Sequence, residues 1–261
     1  MKKRICFLSI DVEEDLRSDN LKTFWGVEKL DIALDIFRKY NALATLFITG
    51  EVLEKYPALV RQWALNNEIA CHGYWHQPLS QLPIEDRKRG LADFTGLYRQ
   101  VLNSEVKGFR AVQNIIDNEQ FELLSQFNFL YDSSVVPDYP PLKKYVGYKG
   151  PAPKSPYHPK SGNHLQAGEM KILEIPLTPH FLGLPLVGTW LRRLGLRFYK
   201  RLFFFHKPEF ISFSMHSWDI IPGESKNQGT NYLRQLEAML GYLKNKGYQF
   251  YSGEKIWEEQ K

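Results

Sequence analysis

Eight short apolar runs rich in β-branched and aromatic residues recur along the chain with helix-like segments between them, and this order narrows the fold more than any other feature. They are ICFLSI (5–10), LATLFIT (43–49), EIAC (68–71), VKGF (106–109), FLY (129–131), ILEIPL (172–177), FISFSM (210–215) and YQFYS (248–252). Between the first two, Val27, Leu30, Leu34 and Phe37 recur at helical spacing, and NYLRQLEAMLGYLKNKG (231–247) ends in basic residues and a glycine, as a helix does. Strand and helix in alternation imply a parallel sheet. So many repeats predict one α/β domain over residues 1–261, a distorted (β/α) barrel of about seven strands.

In such a barrel the C-terminal strand ends share one face, and that face carries the chemistry. The residues just past the runs are Asp11 and Glu13, then His72, Arg110, Asp132 and His216. Ionisable groups at this many strand ends mark a site. His72 lies four residues before His76, and the H-x-x-x-H spacing supplies two imidazoles for a metal. Asp11, Glu13, Glu14 or Asp15 could supply a carboxylate. Asp11 and Glu13 share a side of an extended segment by its period of two, whereas Glu14 points away. Two imidazoles and a carboxylate suit a divalent transition metal, with zinc the commonest catalytic example and Co2+, Mn2+, Ni2+ and Fe2+ also compatible. A metal so held acidifies bound water and polarises a carbonyl, which is the chemistry of amide or ester hydrolysis.

Residues 137–168 break the rhythm. Seven of the chain's fifteen prolines lie between Pro137 and Pro159, and no periodicity is visible, which predicts a long irregular loop over the barrel mouth. Tyr139, Tyr145, Tyr148 and Tyr157 within it could stack on a ring substrate. The net charge of +5 is too modest and too dispersed for a nucleic-acid binder. Cys6 and Cys71 sit in apolar runs and are expected as buried, reduced thiols. The opening MKKRICFLSIDVEED has too short an apolar run for a signal-peptide core, so the expected location is cytoplasmic.

SIDVEED, EIACHGYWHQ, GFRA, YDSSVVP and FSMHSWD, in this order, resemble the polysaccharide deacetylases of carbohydrate esterase family 4, closest to the branch associated with bacterial exopolysaccharide and lipopolysaccharide biosynthesis. The resemblance implies a metal-dependent hydrolase that removes acetyl groups from N-acetylated sugars. It makes Asp11 the general base, Glu13, His72 and His76 the metal ligands, and Arg110 the residue that orients the base. His216 becomes the acid that protonates the leaving amine and Asp132 the carboxylate that tunes it. Trp218 lines the pocket, and Tyr148 and Tyr157 are the loop residues expected to contact the sugar. Three positions depart from the family pattern: Val12 separates the two acids, Gly73 follows the first histidine, and Val112 stands where the branch has proline. A catalytically inactive carbohydrate-binding homologue and a barrel amide hydrolase acting on a small nitrogen compound are the alternatives.

TWLRRLGLRFYKRLFFFHK (189–207) has six basic residues and no acid. Wound as one helix it gathers Leu191, Leu194, Phe198, Leu202 and Phe205 on one face and Arg192, Arg193, Arg197, Lys200 and Arg201 on the other. The basic face is expected either to be ordinary solvent-facing barrel surface or to meet an anionic membrane or a lipid-linked sugar at the inner face of the membrane.

Overall fold

The first apolar run is unbroken because both of its faces are covered. Residues 6–12 of β1 (Arg4–Val12) are all buried, and β1 lies at the centre of a sheet. The computed structural model describes residues 3–16, 21–138, 150–177, 179–181, 184–205, 208–223 and 227–261. Within these, the remaining strands are β2 (Thr45–Ile48), β3 (Glu68–Cys71), β4 (Gly108–Phe109), β5 (Tyr131–Asp132), β6 (Pro159–Lys160), β7 (Asn163–Ala167), β8 (Leu173–Glu174), β9 (Pro179–Phe181), β10 (Leu184–Val187), β11 (Phe210–His216) and β12 (Tyr248–Tyr251).

The main sheet runs β8-β5-β4-β3-β2-β1-β11-β10-β9, and β12 also pairs with β1. Every ladder from β8 to β10 is parallel, and only β9 is antiparallel, to β10. No ladder joins β8 to β9 or β10 among the described residues, so the barrel is open along one seam. Its parallel path has eight strands where about seven are expected. The additional strand is β10, whose sequence LPLV hides it because proline removes a ladder donor.

Period two along β1 separates the two environments. Cys6, Leu8, Ile10 and Val12 join the large apolar cluster shared with the outer helices. Phe7 faces the interior, where it meets Phe47 edge to face, Phe47 in turn meets Tyr131, and Ile175 and Ile256 join the cluster. The same interior row continues through Ser9 and Asp11 toward the mouth, so one strand supplies the barrel floor and the first site carboxylate. The helices Trp25–Glu28 and Asp31–Lys39, with Leu30 at the junction between them, bury Val27, Leu30, Leu34 and Phe37 as their spacing predicts. Helix Thr230–Asn245 likewise matches its sequence signal. None of the described helices is long and apolar enough to cross a membrane. Both cysteines are buried and free.

Two expectations fail here. The segment 137–168 is not irregular throughout, since β6 and β7 form a hairpin that turns at Gly162 with φ +72°. Residues 139–149, with Tyr139, Tyr145 and Tyr148, lie outside the described residues. The basic helix Gly188–Phe205 is also not continuous. Gly195, at φ 74° and ψ 163°, interrupts it and resets its phase. Before the break Leu191 and Arg192 are buried; after it Tyr199 and Phe203 are, while Leu194 is exposed.

Candidate functional site

The mouth of the barrel holds a cavity of about 410 Å³ lined by Asp11, Glu13, His72, His76, His216 and Trp218, among others. Extended backbone at the end of β1 drives Glu13 inward, where it is 3% exposed. His72 follows β3, its N–H bonded to the Ile48 carbonyl at 2.8 Å. The chain then turns through Gly73 at φ +80°, a left-handed position that explains why glycine stands there, and brings His76 back to the same carboxylate. His72 Nε2 lies 3.2 Å and His76 Nε2 2.8 Å from Glu13 Oε2. One ligand atom from each of these residues lies within 4.8 Å of the others. Burial alone would raise the Glu13 carboxyl, but its contacts with His72 and His76 hold it well below the usual carboxylate range.

Three features fit this triad to a cation. His72 Nδ1 meets the Arg110 carbonyl at 2.9 Å, and since a carbonyl only accepts, Nδ1 is the donor. With its donor role on Nδ1, His72 can turn an Nε2 lone pair to a cation shared with Glu13, in place of the direct contact the two side chains make without one. Trp218 Nε1 donates to the other carboxylate oxygen, Oε1, at 3.1 Å and fixes its orientation. Among the four acids that the sequence offers, only Glu13 occupies this position. Asp15 instead accepts from the backbone N–H groups of Trp25 and Gly26, at 2.6 and 2.9 Å, and from the Thr23 hydroxyl, so it caps the following helix. Glu14 faces Lys22 at 3.4 Å.

Asp11 stands beside the triad and is committed to Arg110. The Arg110 guanidinium is completely buried, donates from Nη1 to Asp11 Oδ1 at 2.7 Å, and also donates to Ser9, Ser133 and Ser214. It lies 4.1 Å from the centroid of Phe47, so the aromatic floor of the barrel supports it. The other Asp11 oxygen is 4.0 Å from His216 Nε2.

His216, at the end of β11, stacks on Trp218 with centroids 4.3 Å apart. Burial works against a charge on its ring, but Asp219, Glu13 and Asp11 outweigh it and push the imidazole up to about 9. The carboxylate behind it is Asp219, whose Oδ2 lies 3.7 Å from His216 Nδ1 and accepts the His216 backbone N–H at 2.9 Å. This corrects the assignment of Asp132. Asp132 accepts from the Ser134 N–H and hydroxyl, at 2.9 and 2.8 Å, and pairs with Glu174 behind Arg110. Burial raises Asp132 to about 6, and burial with the charge of Asp132 raises Glu174 well above its usual range. Tyr157 is also reassigned. It is buried, bridges to Glu174 and donates its hydroxyl to the His164 carbonyl at 2.7 Å, and it does not line the cavity.

Asp219 and Arg192 are the residues that sequence reasoning missed. Asp219 accepts the N–H three residues back, the capping pattern of a short turn, and that spacing after His216 was its only sequence signal. Arg192 does not join the solvent-facing basic row. It is 6% exposed, and its Nε lies 2.8 Å from Asp219 Oδ1. The glycine within its helix was the available warning. Gln113 and Asn114, both in left-handed backbone, also line the cavity just past Arg110.

Residues 24–131 match the family model for polysaccharide deacetylases, a span that includes His72, His76 and Arg110. Peptidoglycan deacetylase-like protein FGM2 of Gibberella zeae is 35% identical over 95 residues, which is 35% of this chain and 27% of that protein's length. A candidate polysaccharide deacetylase of Mycobacterium smegmatis superposes with a TM-score of 0.70 at 19% identity, over 99% of this chain and 90% of its own. A carbohydrate esterase family 4 pseudoenzyme from Bacillus anthracis superposes with a TM-score of 0.61 at 14% identity, over 98% and 66%. At such identities the superpositions establish a shared fold.

Proposed function

We propose, for a chain that carries a polysaccharide deacetylase domain in the carbohydrate esterase family 4 fold, a metal-dependent hydrolase that removes acetyl groups from N-acetylated sugars. The observation that carries this reading is the convergence of Glu13 Oε2 with His72 Nε2 and His76 Nε2, the other nitrogen of His72 being committed to a carbonyl. Glu13, His72 and His76 hold the metal, zinc being the commonest for two imidazoles and a carboxylate. A cation there polarises the acetyl carbonyl and acidifies water.

The chain's own groups perform the rest. Asp11 takes a proton from the attacking water, and Arg110 keeps its carboxylate aimed. His216, across the cavity from Asp11 and carrying a proton at neutral pH, gives it to the departing nitrogen as the C–N bond breaks. Water adds across the amide to yield acetate and an amino sugar. The Trp218 indole holds Glu13 and supports His216, so it serves the metal site and the acid together.

Of the alternatives, an inactive carbohydrate-binding homologue is disfavoured because base, acid, ligands and orienting arginine are all present and mutually in reach. A small-compound amide hydrolase would share this chemistry and differ in substrate. The substrate we favour is a nucleotide- or lipid-linked sugar of cell-surface polysaccharide synthesis, handled on the cytoplasmic side. Arg193, Arg197, Lys200 and Arg201 remain exposed and suit a phosphate-bearing carrier or an anionic membrane surface. The test is acetate release from nucleotide-linked, lipid-linked and polymeric N-acetyl sugars and from small amides, with and without added zinc. Acetate from none of the sugars, in protein shown to contain metal, would refute the activity.

A further inference from the structure

Asp219 is wholly buried, and three elements converge on it. The His216 backbone N–H and ring approach Oδ2, Arg192 Nε approaches Oδ1 at 2.8 Å, and the start of the broken helix comes so close that a Cβ on Gly188 would fall 2.3 Å from Oδ2. A carboxylate removed from water in this way requires a paired partner, and Arg192 provides one. Arg192 is itself anchored. Its guanidinium lies 5.5 Å from the Trp218 ring centroid, and its carbonyl accepts from Asn227 at 3.0 Å. The break at Gly195 lets residues 188–194 turn Arg192 inward while the following turns bury Tyr199 and Phe203.

Resting on the reading of His216 as the proton donor, we propose that Arg192 and Asp219 are positioning residues. Arg192 holds one oxygen of Asp219 so that the other stays facing His216 Nδ1, 3.7 Å away, leaving Nε2 directed at the cavity and Asp11. An imidazole delivers its proton only from the nitrogen that faces the substrate, and the hydrogen bond at the other nitrogen decides which one that is. The device is assembled from the far end of the chain, on β11 and on the helix after β10.

The test combines kinetics with a readout independent of turnover. In zinc-supplemented protein labelled with 15N-histidine, and with the signal assigned by its loss in His216→Gln, the parent shows an Nδ1–H resonance shifted downfield by the carboxylate facing it. That resonance moves upfield in D219N and R192Q and returns in R192K. With any substrate that the parent deacetylates, kcat falls about a hundredfold in D219N and about tenfold in R192Q, within the usual scale for a displaced acid. KM stays within about threefold in both, and R192K recovers most of the loss. An unchanged His216 resonance in D219N and R192Q overturns the proposal, as does kcat near the parent value in both. If the parent releases no acetate, the activity reading fails while the nitrogen signal still decides the positioning role. If R192Q does not fold, D219N and R192K decide it.

Discussion

Replacing Arg110 with methionine tests the centre of the barrel. The side chain is 0% exposed and donates five hydrogen bonds, one of them to a carboxylate that is itself 6% exposed. Methionine fills most of the volume above Phe47. Of the hydroxyls left behind, Ser9 and Ser133 retain the Phe213 and Ile175 carbonyls as partners, at 3.4 and 2.8 Å. Ser214 and the Ser133 carbonyl also lose a donor, and the largest penalty falls on Asp11, left buried without its partner. Removing one member of a buried ion pair costs about 3–5 kcal/mol. For a chain of this size each kcal/mol lowers the melting temperature by roughly 2–4 °C, so the expected fall is roughly 6–20 °C. Urea unfolding of the parent, Arg110→Met, Asp11→Asn and the double variant reads the cost and the coupling. Neutralising Asp11 in the Arg110→Met background should recover part of the loss. A cost below about 1 kcal/mol, or no recovery in the double variant, refutes the claim that this pair carries the interior.

Metal content should separate ligands from neighbours: Glu13→Ala, His72→Ala and His76→Ala lose bound zinc. Asp15→Ala keeps it and instead loses a helix cap, about 0.5–2 kcal/mol in thermal unfolding. Asp11→Asn and His216→Ala should retain metal while turnover falls roughly a hundred- to ten-thousandfold; near-parent rates would remove the acid and base assignments. The Asp132–Glu174 pair should make stability depend on pH. Asp132 is raised from 3.8 to about 6 in the folded chain and Glu174 is raised well above its usual range, so the folded state binds more protons. That stability is fully present below the unfolded values and is lost as pH rises through about 6 and beyond. Glu174→Gln should therefore be more stable than the parent at pH 8 and lose that advantage by pH 4, and parallel pH profiles of the two proteins would contradict this.

Local chemistry made the architecture and the two histidines of the candidate metal site readable from the sequence. Strands buried on both faces leave continuous apolar runs, and a parallel barrel sends every C-terminal strand end to one mouth. The order of runs therefore placed Asp11, His72, Arg110 and His216 together before any contact was known. Spacing of four put His72 and His76 close together, and period two favoured Asp11 and Glu13 over Glu14 for the carboxylate, with the choice of Glu13 resting on resemblance. Only the tertiary structure gave that choice a physical reason, because the Trp25–Glu28 helix needs Asp15 as its cap and Arg110 takes Asp11. The short strand β10 was hidden by its proline, and the β6–β7 hairpin by the many prolines around it.

The partner of His216 was decided later still. Asp132 ends one site strand and Asp219 follows another, and resemblance pointed to Asp132 while nothing in the sequence singled out Asp219. Arg192 looked like one of five solvent-facing cations on a regular helix. Whether a charged residue lies in water or against a buried carboxylate depends on the helix phase after Gly195 and on how close the chain comes at Gly188. Hydrophobic periodicity reports which side of an isolated element is apolar. It does not report where a broken helix points its first two turns, because that is set by the charge it meets on another strand.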